Sequence, residues 1–172
     1  MSDAQKIVPS LWFDTQCEEA VSFYISVFEG SPRKGRDSKI ISIARYEKGM
    51  EVPGAEQMEG KVLTAIFELD GQRFMALDGG PIFTFSEAIS FYVECEDQQE
   101  VDYFWERLSA VPEAEQCGWL KDKFGLSWQI VPRQMGELLG SPLREKALAT
   151  MNAMLKMKKL VIADLRKAFD EA

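Results

Sequence analysis

The absence of histidine decides which chemistry this 172-residue chain can attempt. Without an imidazole it has no Ser-His-Asp or Cys-His unit, no histidine-ligated zinc and no imidazole acid–base pair. Carboxylates, lysines, tyrosines, thiols and backbone groups remain. Glu94, Glu96 and Asp97 lie close together, but at a strand-to-helix junction, where acidic side chains satisfy orphan N–H groups. A helix cap is therefore favoured over an acid–base pair. Cys117 stands two residues before Trp119 with Lys121 as its one basic neighbour, which favours inert burial over a reactive thiol. The basic loop Ser31 to Asp37 could hold an anion, although a solvated connection is the favoured reading, and Lys121-Asp122-Lys123 reads as a charged turn. Cys17, Cys95 and Cys117 are odd in number and lack metal-like spacing, as expected of free thiols in a reducing cytosol.

Two matching segments supply the elements that must position these groups. Lys6 to Gly30 reads as a strand running into a helix, and Ala88 to Ala110 is a weaker copy. Val21 falls on Val101, Phe23 on Tyr103 and Tyr24 on Phe104 at a constant offset of 80. A second echo sets Gly71 on Gly125 and Phe74 on Trp128 at an offset of 54, so the second half is 26 residues shorter between its helix and its last strand. The first half carries the polar, glycine-bearing stretch Tyr46 to Gly60 there, read as a loop or hairpin extension.

Taken in order, Lys6 to Asp14 is β-compatible, with Pro9 favouring an edge or a strand start. Asp14 or Thr15 is expected to cap the helix that follows, whose stripe is Ala20, Val21, Tyr24, Ile25 and Phe28. Lys39 to Tyr46 is a strand. Lys61 to Asp70 and Gln72 to Asp78 form a hairpin turning at Asp70-Gly71. Phe83 to Glu96 holds the next strand, and Asp97 caps a helix burying Val101, Phe104, Trp105 and Leu108. Gln116 to Lys121 and Leu126 to Pro132 complete the second set. Beyond Arg133, one long helix over Leu143 to Lys159 is expected to bury Leu148, Met151, Met154, Leu155 and Met157, with a short helix over Leu160 to Phe169.

A formal charge of −8 argues against a phosphate-backbone partner, so no nucleic acid is expected, and 46% hydrophobic residues suffice for a packed core. No apolar run approaches the roughly 18 residues of a membrane span, and the opening MSDAQKIV lacks a leader pattern. A cytoplasmic protein with no membrane partner is the expectation.

LWFDTQCEEAVSFYISVFEGS, LDGQRFMALDGGP, FSEAISFYVEC, GWLKDKFGLSWQIVP and KALATMNAMLKMKKLVIADLRKAF, in that order, resemble the PhnB-like proteins of the vicinal oxygen chelate superfamily, relatives of glyoxalases and bleomycin-resistance proteins. The resemblance implies an α+β fold of two tandem βαβββ modules, at 1–82 and 83–132, with C-terminal helices over 133–172. It also implies a small-molecule ligand and a homodimer. Activity stays open between ligand binding, metal-assisted catalysis of the superfamily type and the 3-demethylubiquinone-9 3-methyltransferase description this family carries. No glycine-rich nucleotide loop follows a strand to support the last.

In metal-dependent relatives, ligands stand on the first and last strands of each module. The matching positions here are Val8 (or Pro9), Met75, Ala88 (or Ile89) and Gln129. Only Gln129 could ligate, and one neutral amide cannot hold a divalent ion. The resemblance thus implies no metal and no cofactor. Strand alternation turns Ser10, Trp12, Arg73, Met75, Ser90, Tyr92, Ser127 and Gln129 toward the cavity. That mixture of aromatic and polar groups suits a small-molecule pocket. The bland readings are that Trp12 and Tyr92 are core, that Arg73 is solvated beside a turn, and that a slip of one residue faces the whole set toward the helices.

Overall fold

The computed structural model describes residues 5–33, 35–51 and 55–172. Met1 to Ala4, Lys34 of the basic loop and residues 52–54 of the expected loop over Tyr46 to Gly60 lie outside the described residues. The chain divides into two compact units, one within 1–30 and 34–84, the other formed by 31–33 and 85–172.

In the first unit, strand β1 (Ser10–Phe13) leads into helix α1 (Cys17–Glu29). Strand β2 (Lys39–Arg45), the one-turn helix α2 (Ala55–Met58), β3 (Val62–Leu69) and β4 (Gln72–Asp78) follow. The sheet order is β1-β4-β3-β2, with β1 parallel to β4 and the other pairs antiparallel. Pairing starts later than the expected Lys6. Pro9 accepts the Met75 N–H at 2.9 Å through its carbonyl but has no N–H to return, so the strand begins after it. Asp70 and Gly71 form the expected tight turn, at φ 48° and 74°, the left-handed pair that a two-residue hairpin requires.

Alternation along these strands separates two faces. Leu11, Phe13, Ala65, Phe67, Phe74 and Ala76 are buried on the face that α1 covers with Ala20, Val21 and Tyr24. Removing each large side chain among them from water contributes about 1.5–3 kcal/mol. Neither Asp14 nor Thr15 caps α1, contrary to the expectation. The helix begins after Gln16 without a side-chain cap of its own, and the Cys17 N–H donates instead to Asp78 Oδ1 at 2.8 Å, from the end of β4. Asp78 is 2% exposed, and its carbonyl accepts the Tyr46 hydroxyl at 2.8 Å. Burial pushes its carboxyl pKa up, against the opposing pull of the Cys17 N–H and the Lys61 charge.

The second unit runs β5 (Ser90–Cys95), α3 (Gln98–Leu108), β6 (Trp119–Lys121) and β7 (Ser127–Pro132), then α4 (Gln134–Leu139), α5 (Arg144–Met154) and α6 (Ile162–Asp170). Its sheet order is β5-β7-β6, with β5 parallel to β7. The α+β fold of tandem strand–helix–sheet modules stands, and the offset of 80 carries β1 onto β5. The second module is βαββ, since nothing answers β2. A connection with a single 3-10 turn at Pro112–Ala114 takes its place, which accounts for the 26 missing residues. Asp97 caps α3 as expected, accepting the Glu100 N–H at 3.0 Å, and Glu100 accepts the Glu96 N–H in return at 2.7 Å. Val101, Phe104, Trp105 and Leu108 are buried on α3, which packs on β7, where Trp128 and Ile130 are buried as well. Of the acidic trio expected to cap, only Asp97 does so with its side chain; Glu96 pairs its carboxylate with Arg133, and Glu94 lies within β5.

Asp122 holds the β6–β7 turn. It is fully buried and accepts the Phe124 N–H at 2.8 Å, the Leu126 N–H at 3.0 Å and the Trp128 indole N–H at 2.8 Å.

The long helix expected over Leu143 to Lys159 stops at Met154. The chain then leaves the helix so that Met157 and Lys158 carbonyls accept the Cys117 and Gly118 N–H groups, each at 2.8 Å. Gln98 on α3 holds the next stretch, donating to Leu160 O at 3.1 Å and accepting the Ile162 N–H at 2.8 Å. The inward face of α5 is Ala147, Thr150 and Met154, whereas Leu148, Met151 and Leu155 of the expected buried stripe are 61%, 36% and 53% exposed. Met135, Leu160 and Leu165 pack on Val131 with Met154 and Met157, so these methionines are core filler.

Two outcomes follow from the buried acids. Asp78→Ala should lower the free energy of unfolding by about 1–3 kcal/mol through loss of the α1 cap. Asp78→Asn should retain most of the cap. Because the folded-state pKa of Asp78 is raised, the wild-type chain binds its proton more tightly when folded. Urea melts should therefore show wild type losing stability relative to Asp78→Asn as pH climbs from the ordinary carboxylate value through the raised one. Asp122→Ala should cost about 2–4 kcal/mol, since three donors lose their acceptor, and Asp122→Asn should not fully rescue it because its NH2 would oppose another donor.

Candidate functional site

The eight side chains expected to face a cavity all lie on strand faces turned away from α1 or α3, four in each unit. In the first unit, Ser10 pairs with Met75 and Trp12 with Leu77 across β1 and β4, while Glu68 pairs with Arg73 across β3 and β4. These residues alternate with the buried Leu11, Phe13, Phe74 and Ala76. Trp12 is committed within its own unit. Its indole N–H donates to Gly80 O at 2.8 Å, and its ring meets Phe83 edge-on at 5.0 Å. The ring also lies so close over Gly79 that a Cβ there would come within 2.2 Å of it. Glycine at 79 is therefore a packing requirement. Arg73 reaches Glu68 at 3.8 Å, a half-exposed pair beside the hairpin turn, and Gln5 brackets the Arg73 backbone with bonds of 2.9 and 3.1 Å.

In the second unit, Ser90 pairs with Ser127 and Tyr92 with Gln129. The offsets alone would set Ser90 beside Gln129, as Ser10 stands beside Met75. The second module is shifted by two residues, and a shift of two keeps every side chain on its face. Gln129 Nε2 donates to Ser90 Oγ at 2.8 Å. Tyr92 is 55% exposed, with its phenol pKa raised by partial burial and by Glu94. Ser127 is 1% exposed, and its Oγ has no hydrogen-bond partner. The strand β6 adds two residues to this face that the sequence reading passed over, Trp119 opposite Gln129 and Lys121 opposite Ser127. Their alternation with the buried Leu120 was the available signal.

The residues present do not fit the metal site that the sequence resemblance raises. Ser10 and Tyr92 are the strand neighbours of Met75 and Gln129, Ala88 and Ile89 precede β5, and the one amide oxygen that Gln129 could offer is a neutral donor too weak to hold a divalent ion alone. Among the described residues, no three carboxylate or thiol side chains gather where they could hold an ion. The buried thiols are not nucleophiles. Desolvation, reinforced by the charge of Asp78, pushes the Cys17 pKa up to about 12, and burial raises that of Cys95 likewise. Cys117, half-buried, lines an open cleft of about 380 Å³ with Glu87, Ala114, Gln116 and Trp119. In the first unit, a second hollow of about 660 Å³ is lined mainly by Glu47, Glu51, Glu56 and Glu59. Among the described residues, no helix is long and apolar enough to cross a membrane.

Residues 5–131 match the model of the family described as 3-demethylubiquinone-9 3-methyltransferase. A PhnB protein of known structure from Bacillus cereus, which carries the same methyltransferase description, is 38% identical. That match covers 74% of this chain and 99% of the other, with a TM-score of 0.58. A Pseudomonas aeruginosa protein is 20% identical over 75% of this chain and 98% of its own, with a TM-score of 0.56, and speaks to the fold alone. No curated protein matches the sequence. The family match stops at residue 131, so α4, α5 and α6 lie beyond it, although the sequence resemblance took in the ending as well. With two strand–helix–sheet modules and this match over most of its length, the chain belongs to the PhnB-like family described as 3-demethylubiquinone-9 3-methyltransferase.

Proposed function

We infer that this protein binds a small, partly aromatic molecule against a sheet face turned away from α1 or α3, without a resident metal. The observation that carries this reading is the make-up of those faces. In the first unit alternation sets Met75 beside Ser10, and in the second it sets Tyr92 and Trp119 beside the hydroxyls and amide of Ser90, Ser127 and Gln129, leaving non-ligating side chains where a metal site would need donors. Apolar walls with a few convergent polar groups are what orient a small ligand. The homodimer and the cytoplasmic setting expected from the sequence belong to the same proposal, and the three unpaired cysteines suit a reducing compartment.

The family description raises methyl transfer as a second reading. The β1–α1 turn does not favour it. Asp14-Thr15-Gln16 carries no glycine, and the first helix N–H is taken by Asp78, so the glycine-rich strand-to-helix turn that commonly holds nucleotide-type cofactors is missing.

Thermal-shift screening of the full chain against neutral and acidic aromatic compounds should find at least one that raises the melting midpoint in a concentration-dependent way. Metal analysis of untagged protein should give far less than one ion per chain, and calorimetry with S-adenosylmethionine should give no binding heat. A stoichiometric ion or a saturable S-adenosylmethionine isotherm would replace this reading with an enzymatic one. Light scattering that finds only monomer would remove the dimer.

A further inference from the structure

Register arranges the face of the second sheet turned away from α3 into two rows. Lys121, Ser127 and Ser90 stand in line across β6, β7 and β5, and Trp119, Gln129 and Tyr92 form the adjoining line. Neighbouring strands are about 4.8 Å apart, so each row is roughly 10 Å long, the size of one substituted ring. The first row presents an ammonium and two hydroxyls. The second presents two aromatic side chains flanking an amide.

The Ser127 hydroxyl sets this face apart from an ordinary sheet surface. It is withdrawn from water and matched by nothing in the protein, an arrangement that native structures avoid and that alanine would relieve. Its row neighbours do not satisfy it. Ser90 Oγ accepts from Gln129 at 2.8 Å and keeps its own proton to donate. Lys121 Nζ pairs with Glu87, whose side chain is 62% exposed on the segment leading into β5. An exposed carboxylate thus already sits at one end of the row. Glu87 and Trp119 also line the cleft of about 380 Å³.

We propose that Lys121, Ser127 and Ser90 anchor the carboxylate of an aromatic acid whose ring lies along Trp119 and Tyr92, with Glu87 holding the anion position until the ligand displaces it. This rests on the small-molecule reading above and names the ligand class that reading leaves open. Ammonium and hydroxyl donors side by side in one row favour an anion over a neutral acceptor, because charge-assisted hydrogen bonds are the stronger ones. The Glu87–Lys121 pair is no obstacle, since an exposed ion pair is weak in water and exchanges readily.

Calorimetric titration of the full chain with benzoate and with benzamide tests it. Benzoate should bind more tightly than benzamide. Lys121→Met should weaken benzoate by about tenfold or more and leave benzamide unchanged. Ser127→Ala should weaken benzoate several-fold while the melting midpoint stays level or rises, because the hydroxyl has no structural partner to lose. Glu87→Gln should tighten benzoate by freeing Lys121. Equal benzoate affinity in wild type, Lys121→Met and Ser127→Ala would overturn the assignment, as would a falling midpoint in Ser127→Ala. Benzamide binding without benzoate binding would overturn this assignment and spare the wider reading. Failure of both probes together with the whole aromatic panel would end the two alike.

Discussion

Leu11, Phe13, Phe67, Phe74 and Ala76 are each no more than 6% exposed beneath α1, and the rings of Phe67 and Phe74 stack at 5.4 Å where β3 and β4 pair. Because strand side chains alternate with a period of two, sealing this face determines which residues occupy the other. A slip of one residue would expose the phenylalanines and bury Ser10, Arg73 and Glu68, so register is held by the hydrophobic effect acting on the far side of the sheet. The same constraint works through Trp128, Ile130 and Leu120 in the second unit. Whatever the faces turned away from α1 and α3 bind, their composition is inherited from this burial.

Two buried carboxylates complete what apolar packing leaves unfinished, and they do so at positions that the duplication does not repeat. Asp78 stands in for the missing cap of α1, whereas α3 has its own Asp97. Asp122 gathers the donors of the β6–β7 turn, whereas the matching turn in the first unit relies on Asp70 and Gly71 in left-handed conformation. The modules share a frame and differ in how its polar ends are satisfied. A buried N–H must find an acceptor, but the acceptor can come from any element within reach.

Divergence between the modules also explains why their open faces differ. Loss of a β2 counterpart leaves β6 at the sheet edge. The two-residue shift between β5 and β7 then aligns Ser90 with Ser127 and sets Lys121 at the end of that row. In the first unit the corresponding face keeps Met75 beside Ser10, and Trp12 is spent on packing over Gly79 and Phe83. The polar convergence is therefore a property of the second unit.

Local chemistry determined a good deal from the sequence alone. Asp70-Gly71 specified a tight turn because only left-handed φ values close it. Asp97 specified a helix start because its oxygen reaches the Glu100 N–H three residues on, and the 80-residue and 54-residue offsets located β5, α3 and β7. Alternation was enough to group the eight face residues, since it needs no knowledge of neighbours. What depends on distant partners stayed out of reach. Asp78 caps a helix 61 positions away, the end of α5 is set by Cys117 and Gly118, and the inward turn of Ala147, Thr150 and Met154 in place of Leu148 and Leu155 follows from where α5 packs. The burial of Ser127 and its alignment with Lys121 belong to the same class. A hydroxyl costs little in a chain exposed to water, and only the folded surroundings decide whether it is left without a partner.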